Sequence, residues 1–273
     1  MVARYKFDLS IVLLTEDGAG HGHETLEAMA RQMLLLVEAK CRTERIDFFK
    51  PSKSLRDVMH GNQWRSRNPK DIGLRERIVL FGRFIAGKLL EGLIRPDVEA
   101  PSFVFFHFDG DHAWQERHLT KDDIVADFED FIRRRVIPAI DRALHKQREA
   151  GIEVEVDAGR KAALLRLRRL TPFYSIEAWL FQNTAEARRL CSLTCGKHMG
   201  ELQMWEADRG KLDELEKPKY ALPCIETDDH LALASSSFPT REVYVARKSY
   251  AAAVDNLRRC RDLRSALVRT NRD

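Results

Sequence analysis

Apolar runs of two kinds alternate along the chain. Residues 7–15 read FDLSIVLLT, rich in Ile, Val and Leu and too short for a typical helix, so they predict a strand buried on both faces. Residues 16–24 (EDGAGHGHE) form a glycine-rich turn, and 25–40 (TLEAMARQMLLLVEAK) carry helix formers with no Pro or Gly. Residues 45–49 (RIDFF) predict a second strand, stopped by Pro51. Strand, helix, strand in this order predicts a parallel βαβ unit. Residues 50–70 are polar and read as loop. Beyond them Leu74, Ile78, Phe81, Ile85 and Leu89 recur at helical spacing, which predicts a helical insertion over about residues 51–95.

Residues 102–108 (SFVFFHF) are the most hydrophobic strand, and they run into Asp109-Gly110-Asp111. A long helix is predicted over 122–150, with Ile124, Phe128, Val136, Ile140 and Leu144 inward, a kink at Pro138 and a C-terminal glycine at Gly151. Leu and Arg alternate over 164–170 and predict a strand ended by Thr171-Pro172. Residues 174–182 begin a helix, and the chain from Thr184 is mostly helical, with a loop near 218–237. The expected architecture is α/β: a central, mostly parallel sheet flanked by helices over 1–183, and a helical C-terminal extension over 184–273 packed on the same domain.

Composition narrows the class. With 273 residues, 44% hydrophobic and 32% charged, 14 Gly and 9 Pro, the chain is neither collagen-like nor a coiled-coil rod nor disordered throughout. No run of about 18 apolar residues exists. The N-terminus enters its first strand without the apolar region of a signal peptide, so the expectation is a cytoplasmic protein that makes no use of a membrane. Five scattered cysteines read as reduced thiols. Cys191, Cys195 and His198 share one helix face, and Cys224 or His230 completes a possible zinc set, against buried thiols as the plainer reading. The net charge of +4 is mild, but residues 241–273 hold nine Lys or Arg against four Asp or Glu. That basic stretch suits phosphates, or is simply a solvated helix face.

The candidate chemistry lies at strand ends. Glu16 follows the first strand, Asp109 and Asp111 follow SFVFFHF, and Glu177 follows a predicted strand and a Pro. In open parallel sheets ligands bind beyond the carboxyl ends of the strands, so these carboxylates are placed to converge. Residues i and i+2 of an extended segment point to one side, which makes Asp109 and Asp111 a pair of hard oxygen ligands suited to Mg²⁺ or Mn²⁺. A lone Asp-Gly-Asp is often only a turn; the combination is what carries the argument. His21 and His23, on the loop beside Glu16, are as well placed to touch a phosphate or metal as to be surface residues. Gly82 to Lys88 nearly spells a P-loop but lacks the final Ser or Thr and the preceding strand. Trp64, Trp114 and Trp205 read as packing residues.

Glu16 at a strand end followed by glycine, with Asp109-Gly110-Asp111 at another, resembles the TOPRIM (topoisomerase–primase) domain. The likeness is nearest to small TOPRIM-like proteins related to the OLD-family nucleases, in which a Pro and then Ile-Glu-x-Trp-Leu follow the Asp-x-Asp strand. Here that segment runs from Pro172 to Ile176-Glu177-Ala178-Trp179-Leu180, and the stretch from Leu212 to Lys219 is also similar to the group's pattern. The family glutamate is usually followed directly by glycine; here Asp17 intervenes and is placed to share the metal. The resemblance implies a Rossmann-like TOPRIM fold and a Mg²⁺- or Mn²⁺-dependent nuclease. Glu16 is then the catalytic residue, as metal ligand or general acid/base, and Asp109, Asp111 and Glu177 the metal ligands. Arg166, Arg168, Arg169, Arg258 and Arg259 are the expected phosphate contacts of a DNA or RNA substrate. The resemblance also implies a role in anti-phage defence or as a toxin-like effector, an ABC-type ATPase partner and a possible homodimer. The other readings are a TOPRIM-fold interaction module with reduced catalysis and a small-molecule phosphoester hydrolase.

Overall fold

A strand buried on both faces needs a core on each side, and the chain supplies two. The computed structural model describes residues 7–17, 21–67, 69–94, 100–110, 124–215, 217–235 and 237–271. Its strands are β1 (Leu9–Thr15), β2 (Ile46–Phe49), β3 (Ser102–His107) and β4 (Leu167–Leu170). They form one sheet in the order β2-β1-β3-β4, every pair parallel, and the fold is α/β. From β1 the chain steps outward to β2 and then returns to place β3 on the other side of β1. The strand order therefore reverses between β1 and β3, which is where a crevice opens at the carboxyl ends of a doubly wound sheet.

Alternation along the strands feeds the two cores. Leu9, Ile11, Leu13, Phe103 and Phe105 face one side, and Val12, Leu14, Val104 and Phe106 the other. The first side is covered by α1 (Gly22–Val37) through Leu26, Met29 and Met33, and by the C-terminal helices through Val254, Leu263 and Leu267. On the second side lie α2 (Lys53–Met59) and α3 (Ile72–Leu90), then α4 (Ile124–Phe131) and α5 (Ile137–Glu149). An aromatic cluster fills that core: Trp64 meets Phe106 edge to face at 5.3 Å and Phe106 meets Phe128 at 5.0 Å.

Several elements differ from the sequence expectation. Residues 50–70 are not loop: α2 and a 3₁₀ turn (His60–Arg65) bury Val58, Met59 and Trp64 beneath the sheet. Few of their side chains are hidden, so the stretch reads as polar. α1 begins at Gly22, three residues earlier than its apolar pattern. The long helix is broken by a π-helical turn at Ile132–Val136, just ahead of Pro138, whose ring cannot follow an ordinary α turn. Gly82 lies inside α3, where an added Cβ would come within 2.8 Å of the Cβ of Arg135, so the P-loop-like segment is a helix contact.

The expected strand at 164–170 starts only at Leu167. Glu155 caps α6 (Val156–Leu165) by accepting the N–H groups of Asp157 and Ala158, and the helix runs on through Leu165. The helix expected at 174–182 shortens to α7 (Glu177–Leu180). Then come α8 (Thr184–Thr194), α9 (Met199–Ala207) and α10 (Arg209–Asp213). The expected loop at 218–237 holds α11 (Pro218–Ala221), a 3₁₀ turn (Thr227–Asp229) and α12 (His230–Leu233). The chain closes with α13 (Thr240–Val245), α14 (Ser249–Arg258) and α15 (Arg261–Arg269). Among the described residues no helix is long and apolar enough to cross a membrane.

Candidate active site

Parallel pairing sets Thr15 opposite His107, so the residues that follow β1 and β3 leave the sheet side by side. Glu16 and Asp17 come from β1, Asp109 from beyond β3, and Glu177 from the start of α7. These four carboxylates line one cavity of about 250 Å³, together with Gly61, Asn62, Ile176, Thr227 and His230. Two hydrogen bonds lace the strand ends together. The Asp109 N–H donates to Glu16 Oε1 at 2.6 Å, and the Ile176 N–H donates to Asp109 Oδ1 at 3.0 Å. Each bond is charge-assisted, and so stronger than a neutral one. Asp111 lies outside the described residues.

Beneath the carboxylates is a buried polar chain. Thr15 Oγ1 accepts the Asp17 N–H at 3.1 Å and lies 3.0 Å from His107 Nδ1. His107 is fully buried, and its Nε2 lies 3.6 Å from Asp109 Oδ1. Burial pushes the imidazole down to about 3, so it is neutral at ordinary pH. With the Thr15 hydroxyl donating to Nδ1, the ring proton sits on Nε2, which faces the carboxylate but makes no hydrogen bond.

Asp17 lies over the first turn of α1, where a Cβ on Gly22 would come within 2.6 Å of the Asp17 carbonyl oxygen. A carboxylate there complements the helix dipole. Of the two loop histidines, His21 is exposed, while His23 turns inward. Its imidazole is lowered to about 4, by burial first and by Lys50 second.

The four carboxylates offer hard oxygen donors, the kind that Mg²⁺ and Mn²⁺ take, beside the imidazole of His230. Among the described residues, no three carboxylates have oxygens all within 4.8 Å of one another. The carboxylates thus share the cavity without being gathered into a preformed metal cluster.

The expected phosphate-binding arginines separate into two kinds. Arg166 is in the interior, 5% exposed, donating to the Glu91 carbonyl at 2.7 Å. Arg258 donates to the Leu36 carbonyl at 2.7 Å, with its guanidinium over the Tyr244 ring. Arg168 is half-buried and bonds Asn256 Oδ1 and the Leu165 carbonyl. Arg169 and Arg259 instead line an open cavity of about 720 Å³ beside β4, with Arg133, Phe173 and Asn256.

Two segments singled out in the sequence meet through a third. The Trp179 Nε1–H donates to Ser249 Oγ at 2.7 Å, and Ser249 Oγ donates to Asp213 Oδ1 at 2.6 Å. The Ser249 N–H donates to Asp213 Oδ2 at 2.7 Å. Asp213 is 2% exposed, and burial raises its carboxyl above the usual range. This network holds α7, and with it Glu177, to the C-terminal helices. Of the remaining tryptophans, Trp64 and Trp205 are core residues, and Trp114 lies outside the described residues.

Sequence reasoning missed Thr15, His107, Gly61, Asn62, Thr227 and His230 at this site. His107 had a signal, a polar residue inside an otherwise apolar strand. Gly61 and Asn62 had a weaker one, since both adopt left-handed backbone conformations (φ 65° and 58°), which Gly and Asn tolerate best. No protein-family profile, curated protein or solved structure matches this chain.

Proposed function

We propose that the chain is a divalent-metal-dependent nuclease of TOPRIM type. The observation that carries the reading is the meeting of Glu16 and Asp109, 93 positions apart, at the switch point of a parallel sheet, with Glu177 on the same cavity. Mg²⁺ or Mn²⁺ bound there supplies positive charge for the phosphoryl oxygens of a phosphodiester. Asp109 and Glu177 are the protein's hold on that cation. Glu16 orients the attacking water or takes its proton. Asp109 is kept in place by the Ile176 amide and by neutral His107 behind it. Arg169, Arg259 and Arg133 give a nucleic-acid backbone its salt-dependent grip. By analogy with the OLD group, nucleotide hydrolysis belongs to a separate ABC-type ATPase, and the setting is anti-phage defence or a toxin-like effector.

The test is cleavage of plasmid DNA and of RNA with Mg²⁺ or Mn²⁺. Glu16→Gln and Asp109→Asn are expected to reduce the rate on the order of 100-fold or more. Metal-dependent cutting by both variants at the parent rate overturns the assignment. A small-molecule phosphoester hydrolase is the second reading. Turnover of a phosphomonoester with polymers left intact selects it.

A further inference from the structure

Among the described residues, one group of three metal-capable side chains has all its donor atoms within 4.8 Å of one another: Cys191, Cys195 and Cys224. Cys191 lies in α8, Cys195 caps that helix one turn later, and Cys224 arrives from the segment after α11. Cys191 Sγ is 3.5 Å from Cys195 Sγ and 2.8 Å from Cys224 Sγ. Neither of the histidines considered with them, His198 and His230, belongs to the group, and His230 lines the carboxylate cavity. We infer that Cys191, Cys195 and Cys224 form a three-thiolate site for a thiophilic divalent cation, Zn²⁺ being the best fit, with its fourth position open to solvent.

Three features support this beyond the convergence of sulfurs. Tetrahedral Zn²⁺ with Zn–S bonds of about 2.3 Å sets its sulfurs roughly 3.8 Å apart, so the trio needs only small side-chain rotations to open around an ion. The turn after α8 is built to support a thiolate. The N–H groups of Cys195 and Gly196 both donate to the Cys191 carbonyl, and Gly196 is left-handed at φ 63°. That geometry presents the Lys197 N–H to the Cys195 sulfur. Finally, Cys191 and Cys224 are buried while Cys195 is exposed, which gives the ion a way in and leaves water room for the fourth place.

Binding exchanges three S–H protons for one cation: Zn²⁺ and three thiols give a tris-thiolate zinc and three protons released to solvent. Soft donors also keep this site apart from the carboxylates, since Mg²⁺ and Mn²⁺ do not compete for sulfur. The site fastens the end of α8 to Cys224, three residues before Thr227, which lines the carboxylate cavity. The inference is independent of the nuclease reading.

The experiment is a Co²⁺ titration of the full chain, stripped of metal and kept reduced by a phosphine, followed by absorbance. The expected result is a sulfur-to-cobalt charge-transfer band that saturates at one equivalent, with about three protons released. Zn²⁺ should abolish the band and excess Mg²⁺ should not. Cys195→Ser, at the exposed position, is expected to weaken binding at least about tenfold, the scale on which disturbing a metal site acts, while Cys41→Ala leaves it unchanged. Circular dichroism verifies that each variant is folded. Absence of a thiolate band in folded parent protein, or an undiminished band in Cys195→Ser, overturns the inference.

Discussion

Glu16 accepts the backbone N–H of Asp109 at 2.6 Å, so the loop after β3 hangs on the carboxylate that ends β1. One side chain thus has two separable jobs, holding a backbone amide and carrying a negative charge. Glu16→Gln keeps an oxygen for the amide but removes the charge, whereas Glu16→Ala removes both. The expected outcome is a near-parental melting temperature for Glu16→Gln and a destabilisation of about 1–3 kcal/mol for Glu16→Ala, the cost of stranding an amide. Metal-dependent cleavage should fall in both. Thermal melts of the pair decide it: equal stability of the two variants contradicts the amide-holding role.

His107 and His23 make the fold sensitive to acid. Their folded values, about 3 and about 4, lie below the ordinary 6.5. Above pH 6.5 both are neutral whether the chain is folded or not, and stability is at its full value with respect to them. Between pH 6.5 and 4 the unfolded chain takes up protons that the folded one refuses. Stability therefore falls as pH falls, by up to about 1.4 kcal/mol per pH unit per histidine. Urea midpoints at pH 7, 6 and 5 measure this, and His107→Gln is expected to flatten the slope relative to the parent. An unchanged slope contradicts the burial of a neutral imidazole.

Ser249 is the single hydroxyl between Trp179 and Asp213. Ser249→Ala removes both side-chain bonds and leaves a buried indole N–H and a buried carboxyl short of a partner. The expected cost is about 2–4 kcal/mol in denaturant unfolding. Trp179→Phe in the Ser249→Ala background should cost less than it does alone, because the two residues share one bond. Strict additivity contradicts the network.

Arg169 and Arg259 face the open cavity beside β4, whereas Arg166 is tied to an internal carbonyl. Replacing Arg169 and Arg259 with Ala is expected to weaken nucleic-acid binding at all sequences alike. The slope of log affinity against log salt should drop by about 1 for each phosphate no longer neutralised. Fluorescence anisotropy at several salt concentrations reads this. A salt slope equal to the parent's contradicts the placement of the substrate backbone.

Much of the fold is legible in the chain because long apolar runs admit few interpretations. SIVLLT and SFVFFHF, with no polar face, have to be covered on both sides, and the acidic residues just past them have to emerge at the sheet's carboxyl edge. The elements that escaped are those that bury little of themselves. α2 and the turn holding Trp64 present only a few side chains to the core, and the first residues expected in β4 belong instead to a helix capped by Glu155. At the candidate site, the carboxylates that follow strands or open α7 were visible as Glu16, Asp109 and Glu177, which line one cavity. Residues that reach that cavity only by tertiary position were not. Thr227 and His230 reach the cavity from more than two hundred positions beyond Glu16, and no local pattern encodes that distance. Cys224, grouped with Cys191 and Cys195 from the sequence, does meet Cys191 across 33 positions.

The central claim is that a hard divalent cation is held where β1 and β3 end, and Mn²⁺ binding followed by electron paramagnetic resonance tests it most directly. The parent chain is expected to bind Mn²⁺ stoichiometrically and to give it up to excess Mg²⁺. Asp109→Asn and Glu177→Gln are expected to weaken that binding on the order of tenfold or more, with Cys195→Ser unaffected. Identical Mn²⁺ isotherms for the parent and both carboxylate variants would contradict the account.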